Sequence, residues 1–135
     1  MIEFNSQNDF KLPNEAIIDE WLNAVASSEG FKIDELGYVF CSDDFLWDIN
    51  QKYLDHDTLT DIITFDYGFD DVISGEIYIS TDRVSENAND FNVAFADELK
   101  RVLVHGILHL CGYKDKTPDE AKLMRAKEDE YIGLR

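Results

Sequence analysis

Two of the three histidines in the chain, His105 and His109, stand four residues apart in a stretch whose apolar residues recur at helical spacing. An α-helix advances about 100° per residue, so His109 falls about 40° around the axis from His105 and one turn above it. Both imidazoles then face one side and can share a metal ion. That spacing by itself equally describes two hydrogen-bonded core histidines. What extends it is the continuation His105-Gly106-Ile107-Leu108-His109-Leu110-Cys111-Gly112-Tyr113-Lys114-Asp115, in which a glycine and then an aspartate follow the pair. A helix continued past residue 112 would carry residue 115 away from the rings, whereas a left-handed residue at Gly112 folds the chain back. Asp115 thereby becomes the third ligand. Carboxylate oxygen binds zinc at about 2.0–2.2 Å, and three protein ligands plus water make an open catalytic centre rather than a closed structural one. The expected cofactor is one Zn2+ per chain on His105, His109 and Asp115, with another divalent metal open because the third ligand is an oxygen.

The order H-x3-H-x2-G-x2-D matches the zinc layout of the metzincins. In the H-E-x-x-H metalloproteases the Glu beside the first histidine is the general base, and here that position is Gly106. Peptide hydrolysis is therefore left without its usual proton acceptor. A glycine inside a helix also costs about 1 kcal/mol relative to Ala, which implies a close approach of backbone or substrate, or a packing need for a small residue. Cys111 offers a thiol, but it lies about 160° round from the midpoint of the histidine pair and faces away. Glu98 shares nearly the same helical face as His105 at about 10 Å along the axis, which suits a supporting or substrate-side role. Asp97, Glu120 and Glu128 read as solvated surface charges.

The elements that must position these residues follow from apolar spacing, which switches between periods near 3.6 and short β-type runs. A short strand at Ile2 to Phe4 precedes a helix opened by Pro13, with Ile17, Ile18, Trp21, Leu22 and Val25 on one face and Gly30 as its stop. Leu36 to Cys41 reads as a strand, after which Ser42 can cap a helix carrying Phe45, Ile49 and Tyr53. Thr60 to Phe65 and Gly75 to Ser80 are rich in β-branched and aromatic residues and read as strands, with the acidic stretch Asp66 to Asp71 a solvated loop between them. A helix follows from Thr81 to about Asn89, and the histidine helix runs from about Ala94 to Cys111, ended by Gly112. Thr117-Pro118-Asp119-Glu120 opens the last helix with a capping box. No repeat or linker interrupts the chain. The expectation is a single α+β domain over residues 1–135, with a mixed sheet of about four strands, about five helices and the metal site at the end of the helix 94–111.

Composition sets outer limits. With 135 residues, 44% hydrophobic, 2 Pro and 7 Gly, the chain is neither disordered nor collagen-like. Its 29 acidic against 12 basic residues give a formal net charge of -17. That field repels phosphate backbones, so any nucleic-acid binding must come from a local feature. Cys41 and Cys111 are too few for a disulfide framework and are expected as reduced thiols. The first residues lack a basic segment and an apolar stretch, and no apolar run is long enough for a membrane span; the expectation is a soluble, cytoplasmic protein without membrane contact.

The stretch His105 to Tyr113 is similar to the H-G-x-L-H-L-x-G-Y motif of the YbeY family, bacterial rRNA maturation factors described as metal-dependent, single-strand-specific endoribonucleases. The resemblance extends to Asn50-Gln51-Lys52-Tyr53, Thr60-Asp61-Ile62-Ile63-Thr64-Phe65 and Gly75-Glu76-Ile77, and downstream to Glu120, Met124 and Glu128. Two positions depart from the family. Asp115 stands where the family usually completes its triad with a histidine, and Leu54 stands where it typically carries an arginine. Lys52, Arg83 and Arg101 are candidates to replace that cation, Arg101 being best placed, one turn before His105. His56, between Asp55 and Asp57, aligns with no family ligand and reads as a charged, solvated loop residue. The resemblance implies a zinc-dependent endoribonuclease that cuts single-stranded RNA in maturation of the 16S rRNA 3' end and in ribosome quality control. Ribosomal proteins or a ribosome-associated GTPase would be its partners, and His105, His109, Arg101 and Glu98 its catalytic residues. Two rivals stand beside it. A non-catalytic, metal-stabilised ribosome-assembly factor is favoured by Leu54 and the net charge, and a small zinc metalloprotease by the ligand spacing but not by Gly106.

Overall fold

A computed structural model of the chain describes residues 1–54 and 60–133. His56 lies outside the described residues, as do the side chains of Tyr53 and Leu54. Among the described residues four strands and five helices form, so the expected α+β class with a four-stranded mixed sheet is what the chain adopts. The sheet consists of β1 (Ile2–Ser6), β2 (Lys32–Cys41), β3 (Ile62–Asp66) and β4 (Val72–Ser80) in the order β1-β2-β4-β3. β2 runs parallel to both β1 and β4, while β3 and β4 form an antiparallel hairpin across the acidic stretch.

Alternation along the central strands divides the core into two faces. Leu36, Tyr38 and Phe40 of β2 and Ile73, Ile77 and Ile79 of β4 point into the main cluster, which they share with α1 (Glu15–Ser28), α4 (Phe95–Leu110) and α5 (Pro118–Ile132). On the opposite face Cys41 and Ile63 pack with Leu46 and Ile49 of α2 (Asp43–Leu54), edged by Phe65 and Tyr78. The central strands are thus covered on both sides, by α1, α4 and α5 over one face and by α2 over the other. α3 (Thr81–Phe91) leaves β4 directly, its N-cap Ser80 accepting from the Arg83 amide.

α4 is the element that carries the histidines, and it is clamped to the sheet. Leu103, Val104, Ile107 and Leu108 are fully buried, and the buried Tyr38 hydroxyl donates to the Leu103 carbonyl at 2.8 Å. Gly106 explains how closely the helix approaches. A Cβ at that position would sit 2.9 Å from Ile77 Cδ1 and 3.2 Å from Ile62 Cδ1. Of the two readings of Gly106 the packing need for a small residue is the one realised.

Three local expectations are corrected. Pro13 does not open α1, because Asn14 adopts a left-handed conformation (φ 58°) and the helix begins at Glu15. Ile17 is 66% exposed: Ile18, Trp21, Leu22, Val25 and Ala26 form the buried stripe, and Ile17 stands about 100° from its centre. β2 also begins at Lys32, earlier than its apolar run, since Lys32 and Ile33 pair with Val72 and Ile73 before an irregularity shifts the register ahead of Leu36. That irregularity breaks the alternation by which the strand would be recognised.

Replacing Gly106 with Val should lower stability by about 1–3 kcal/mol, the usual penalty for overpacking a core. Urea unfolding of the two proteins measures it, and an unchanged midpoint would mean that α4 does not lie this close to the sheet.

Candidate metal centre

The end of α4 builds the site. Cys111 caps the helix and Gly112 takes a left-handed φ of 105°, so that the Gly112 amide donates to the His109 carbonyl and the Tyr113 amide to the Leu108 carbonyl, each at 3.0 Å. This pair of bonds is the Schellman arrangement, and it reverses the chain where the sequence calls for reversal. Downstream, the Thr117 hydroxyl accepts from the Glu120 amide, while the Glu120 carboxylate accepts from the Thr117 and Lys116 amides. Asp115 therefore hangs between two fixed points, the glycine turn and the cap of α5. Glu120 thus forms the capping box expected at the start of α5, and through the Lys116 amide it also tethers this segment.

The reversal returns Asp115 to the rings. Its Oδ2 lies 3.3 Å from His105 Nε2 and 3.5 Å from His109 Nε2. The two imidazoles meet edge to face, with centroids 4.5 Å apart and planes at 84°. Among the described residues these three form a group able to hold a metal ion, with all donor atoms within 4.8 Å of one another. A tetrahedral ion with ligands at about 2.0–2.1 Å separates neighbouring ligand atoms by about 3.4 Å. The two separations from Asp115 Oδ2 fall close to that value, and the donor set of two nitrogens and one oxygen suits a borderline divalent cation.

Each ring has its other nitrogen occupied. His109 Nδ1–H donates to the Tyr113 carbonyl at 3.0 Å, and His105 Nδ1–H donates to Glu128 Oε2 at 2.6 Å. Both Nε2 atoms are thereby left with lone pairs toward Asp115, the tautomer that a metal ion needs. Glu128 is the main correction to the sequence reading. Expected as a surface charge, it is 4% exposed and accepts from both His105 and Arg101, the latter at 2.8 Å. Its spacing gave no hint, because it arrives from α5, 23 residues after His105. Arg101 also donates to Asp129 at 2.7 Å, so the guanidinium is spanned by two carboxylates.

Electrostatics follow from these contacts. Burial pushes the His105 pKa down, but the hydrogen bond and charge of Glu128 outweigh it and leave the value raised above 6.5. His109 is lowered, by burial first and then by the neighbouring His105. Glu98 is buried and its pKa is raised, by burial and then by Asp61; Asp61 is raised by burial against the pull of His105.

His105, His109 and Asp115 open into a cavity of about 570 Å3 whose wall also includes Asp61, Glu98 and Arg101. Lys116 and Arg125, both exposed, line it too; neither was singled out in the sequence, since no motif marks them. Of the other proposed cations, Arg83 is paired with Asp43 at 2.9 Å and Lys52 is exposed on α2, and neither lines the cavity. Cys111 packs against the main core and its thiol is pushed up to about 12 by burial and then by Glu29, so it stays out of the site as expected. Both cysteines are free.

A mixed four-stranded sheet under helices, with three convergent donors where its most buried helix ends, defines a small α+β protein with a donor group able to hold a metal ion. A family model described as "Endoribonuclease YbeY" matches residues 2–133. The chain is 56% identical to an endoribonuclease YbeY of Flavobacterium johnsoniae over 134 residues, which is 99% of this chain and 96% of that one. It is 50% identical to the endoribonuclease YbeY of Cytophaga hutchinsonii over 133 residues, covering 98% and 93%. The solution structure of a Thermotoga maritima protein superposes with a TM-score of 0.70 at 30% identity, over 98% of this chain and 87% of that one. The chain belongs to the endoribonuclease YbeY family.

Replacing Glu128 with Gln should weaken metal binding about 10- to 100-fold, the range typical when the partner of a ligating histidine is lost. Competition against a chromophoric chelator reads this. In metal-free protein the same substitution should reveal a pH dependence with one sign. A raised histidine pKa contributes stability in full below the ordinary value of 6.5 and loses it as pH rises through the folded value. The stability gap between wild type and Glu128→Gln should accordingly shrink from acid to mildly alkaline pH in urea melts.

Proposed function

We propose that the protein is a metal-dependent endoribonuclease that cuts single-stranded RNA in rRNA maturation, with zinc held by His105, His109 and Asp115. The observation that supports this most directly is the separation of Asp115 Oδ2 from the two Nε2 atoms, 3.3 and 3.5 Å, at the mouth of a cavity large enough for a nucleotide. When bound, the ion would polarise a phosphoryl oxygen and lower the pKa of the attacking water.

The chain's own residues do the rest. Glu128 keeps the His105 lone pair aimed at the ion, and Tyr113 does the same for His109 through its carbonyl. Lys116 and Arg125 meet the phosphate, a role that Arg101, held by Glu128 and Asp129, performs less directly. Glu98 and Asp61, whose raised pKa values favour a proton on the carboxyl, are the groups to hold or pass one during cleavage.

The net charge of -17 opposes encounter with RNA. Delivery by a basic ribosomal protein or a ribosome-associated GTPase in the cytoplasm would offset it, and among the described residues no helix is long and apolar enough to cross a membrane. The same charge favours the second reading, a non-catalytic assembly factor whose metal only fixes the end of α4. A metalloprotease is disfavoured because Gly106 supplies no carboxylate beside His105.

Purified protein offered single-stranded RNA, duplex RNA and casein, with and without chelator, separates the three. Cleavage of single-stranded RNA alone, abolished by chelator, is expected. His109→Ala should lose both bound metal and cleavage; cleavage surviving in that metal-free variant would overturn the proposal, and a protein that binds metal but cuts nothing would be the assembly factor.

A further inference from the structure

Glu29 follows the last residue of α1 and sits at its C-cap. A carboxylate there is locally unfavourable, because the C-terminal end of a helix carries the negative pole of its dipole, and no basic residue in the last turn relieves it. Its side chain is nevertheless only 10% exposed. Burying an anion in so acidic a protein requires dedicated partners, and Glu29 has three, from segments 84 to 102 residues away. The Tyr113 hydroxyl donates to Oε1 at 2.7 Å, the Tyr131 hydroxyl donates to Oε2, and Lys127 Nζ reaches Oε2 at 3.3 Å. Lys127 also lies over the rings of Tyr113 and Tyr131, at 5.8 and 6.0 Å from their centroids.

Those partners are not arbitrary. Tyr113 is the residue whose carbonyl accepts from His109, and it opens the segment that returns Asp115 to the rings. Lys127 is the neighbour of Glu128, which accepts from His105. One carboxylate at the end of a distant helix thus grips both supports of the donor set. We propose that Glu29 is a positioning residue for the metal centre, holding the Tyr113 turn and α5 in register so that both histidine rings keep their orientation. This rests on the reading of His105, His109 and Asp115 as a metal site.

The test compares Glu29→Ala, Glu29→Gln and Tyr113→Phe with a control, Trp21→Phe. Trp21 Nε1 donates to the Tyr131 carbonyl at 3.0 Å, so the control breaks another tie between α1 and α5 without touching Tyr113. Zn2+ affinity is read by competition with a chelator, and the His109 Nδ1–H signal is read by imidazole nitrogen NMR of the metal-free proteins. Glu29→Ala and Tyr113→Phe should each bind Zn2+ about tenfold more weakly, with Glu29→Gln between them and wild type. The His109 Nδ1–H signal should broaden in the same order. Trp21→Phe should lower the thermal midpoint while leaving affinity and signal unchanged. Wild-type affinity and an intact signal in Glu29→Gln and Tyr113→Phe, both of which keep nearly the native volume, would overturn the proposal. A wild-type protein that binds no Zn2+ would instead overturn the metal reading, and the imidazole signals of the metal-free variants would still decide the role of Glu29.

Discussion

The left-handed turn at Gly112 is the constraint on which the site depends. Without it α4 would run on, Asp115 would leave the neighbourhood of the rings, and Tyr113 would not present its carbonyl to His109. Only a residue without a Cβ takes φ 105° at little cost. The turn is local, but its two backbone bonds also satisfy carbonyls that the helix end would otherwise leave unpaired. A structural need at a helix terminus and a chemical need for three convergent donors are met by the same atoms.

Rigidity is supplied from further away. α4 cannot rotate, because its buried face is seated on β4 and β2 and Gly106 lies against Ile77 and Ile62. With the helix angle set by the sheet, the two rings are aimed by Glu128 from α5 and by Tyr113 from the turn. Donors placed on a regular helix and oriented by buried partners hold their geometry better than donors on loops. Only Asp115 belongs to a loop, and that loop is short and pinned at Lys116 and Thr117 by Glu120.

Much of this was legible in the sequence, and what was not has a physical reason. The histidine pair, the glycine and the capping box at Thr117 are encoded by neighbours within a few residues, and each formed where expected. Helix and strand types followed from periodicity, except where β2 loses its alternation at an irregularity and where Ile17 stands just off the buried stripe. Glu128 was misread because burial of a charge is decided by a partner in another element, and a wheel drawn for α5 alone contains no His105 or Arg101. The wall cations Lys116 and Arg125 were missed for the same reason, since convergence on a cavity is a property of the assembled chain.

The seating of Gly106 limits the chemistry that this helix can carry. The chain shares its histidine spacing with helices in which the residue after the first histidine carries a working carboxylate. Here that residue faces inward, toward two isoleucines of the sheet. A single mutation to glutamate would therefore drive a charge into hydrocarbon rather than present a base to a bound peptide. The histidine spacing alone therefore does not make this helix a peptidase helix, because the position beside His105 is committed to packing on the sheet.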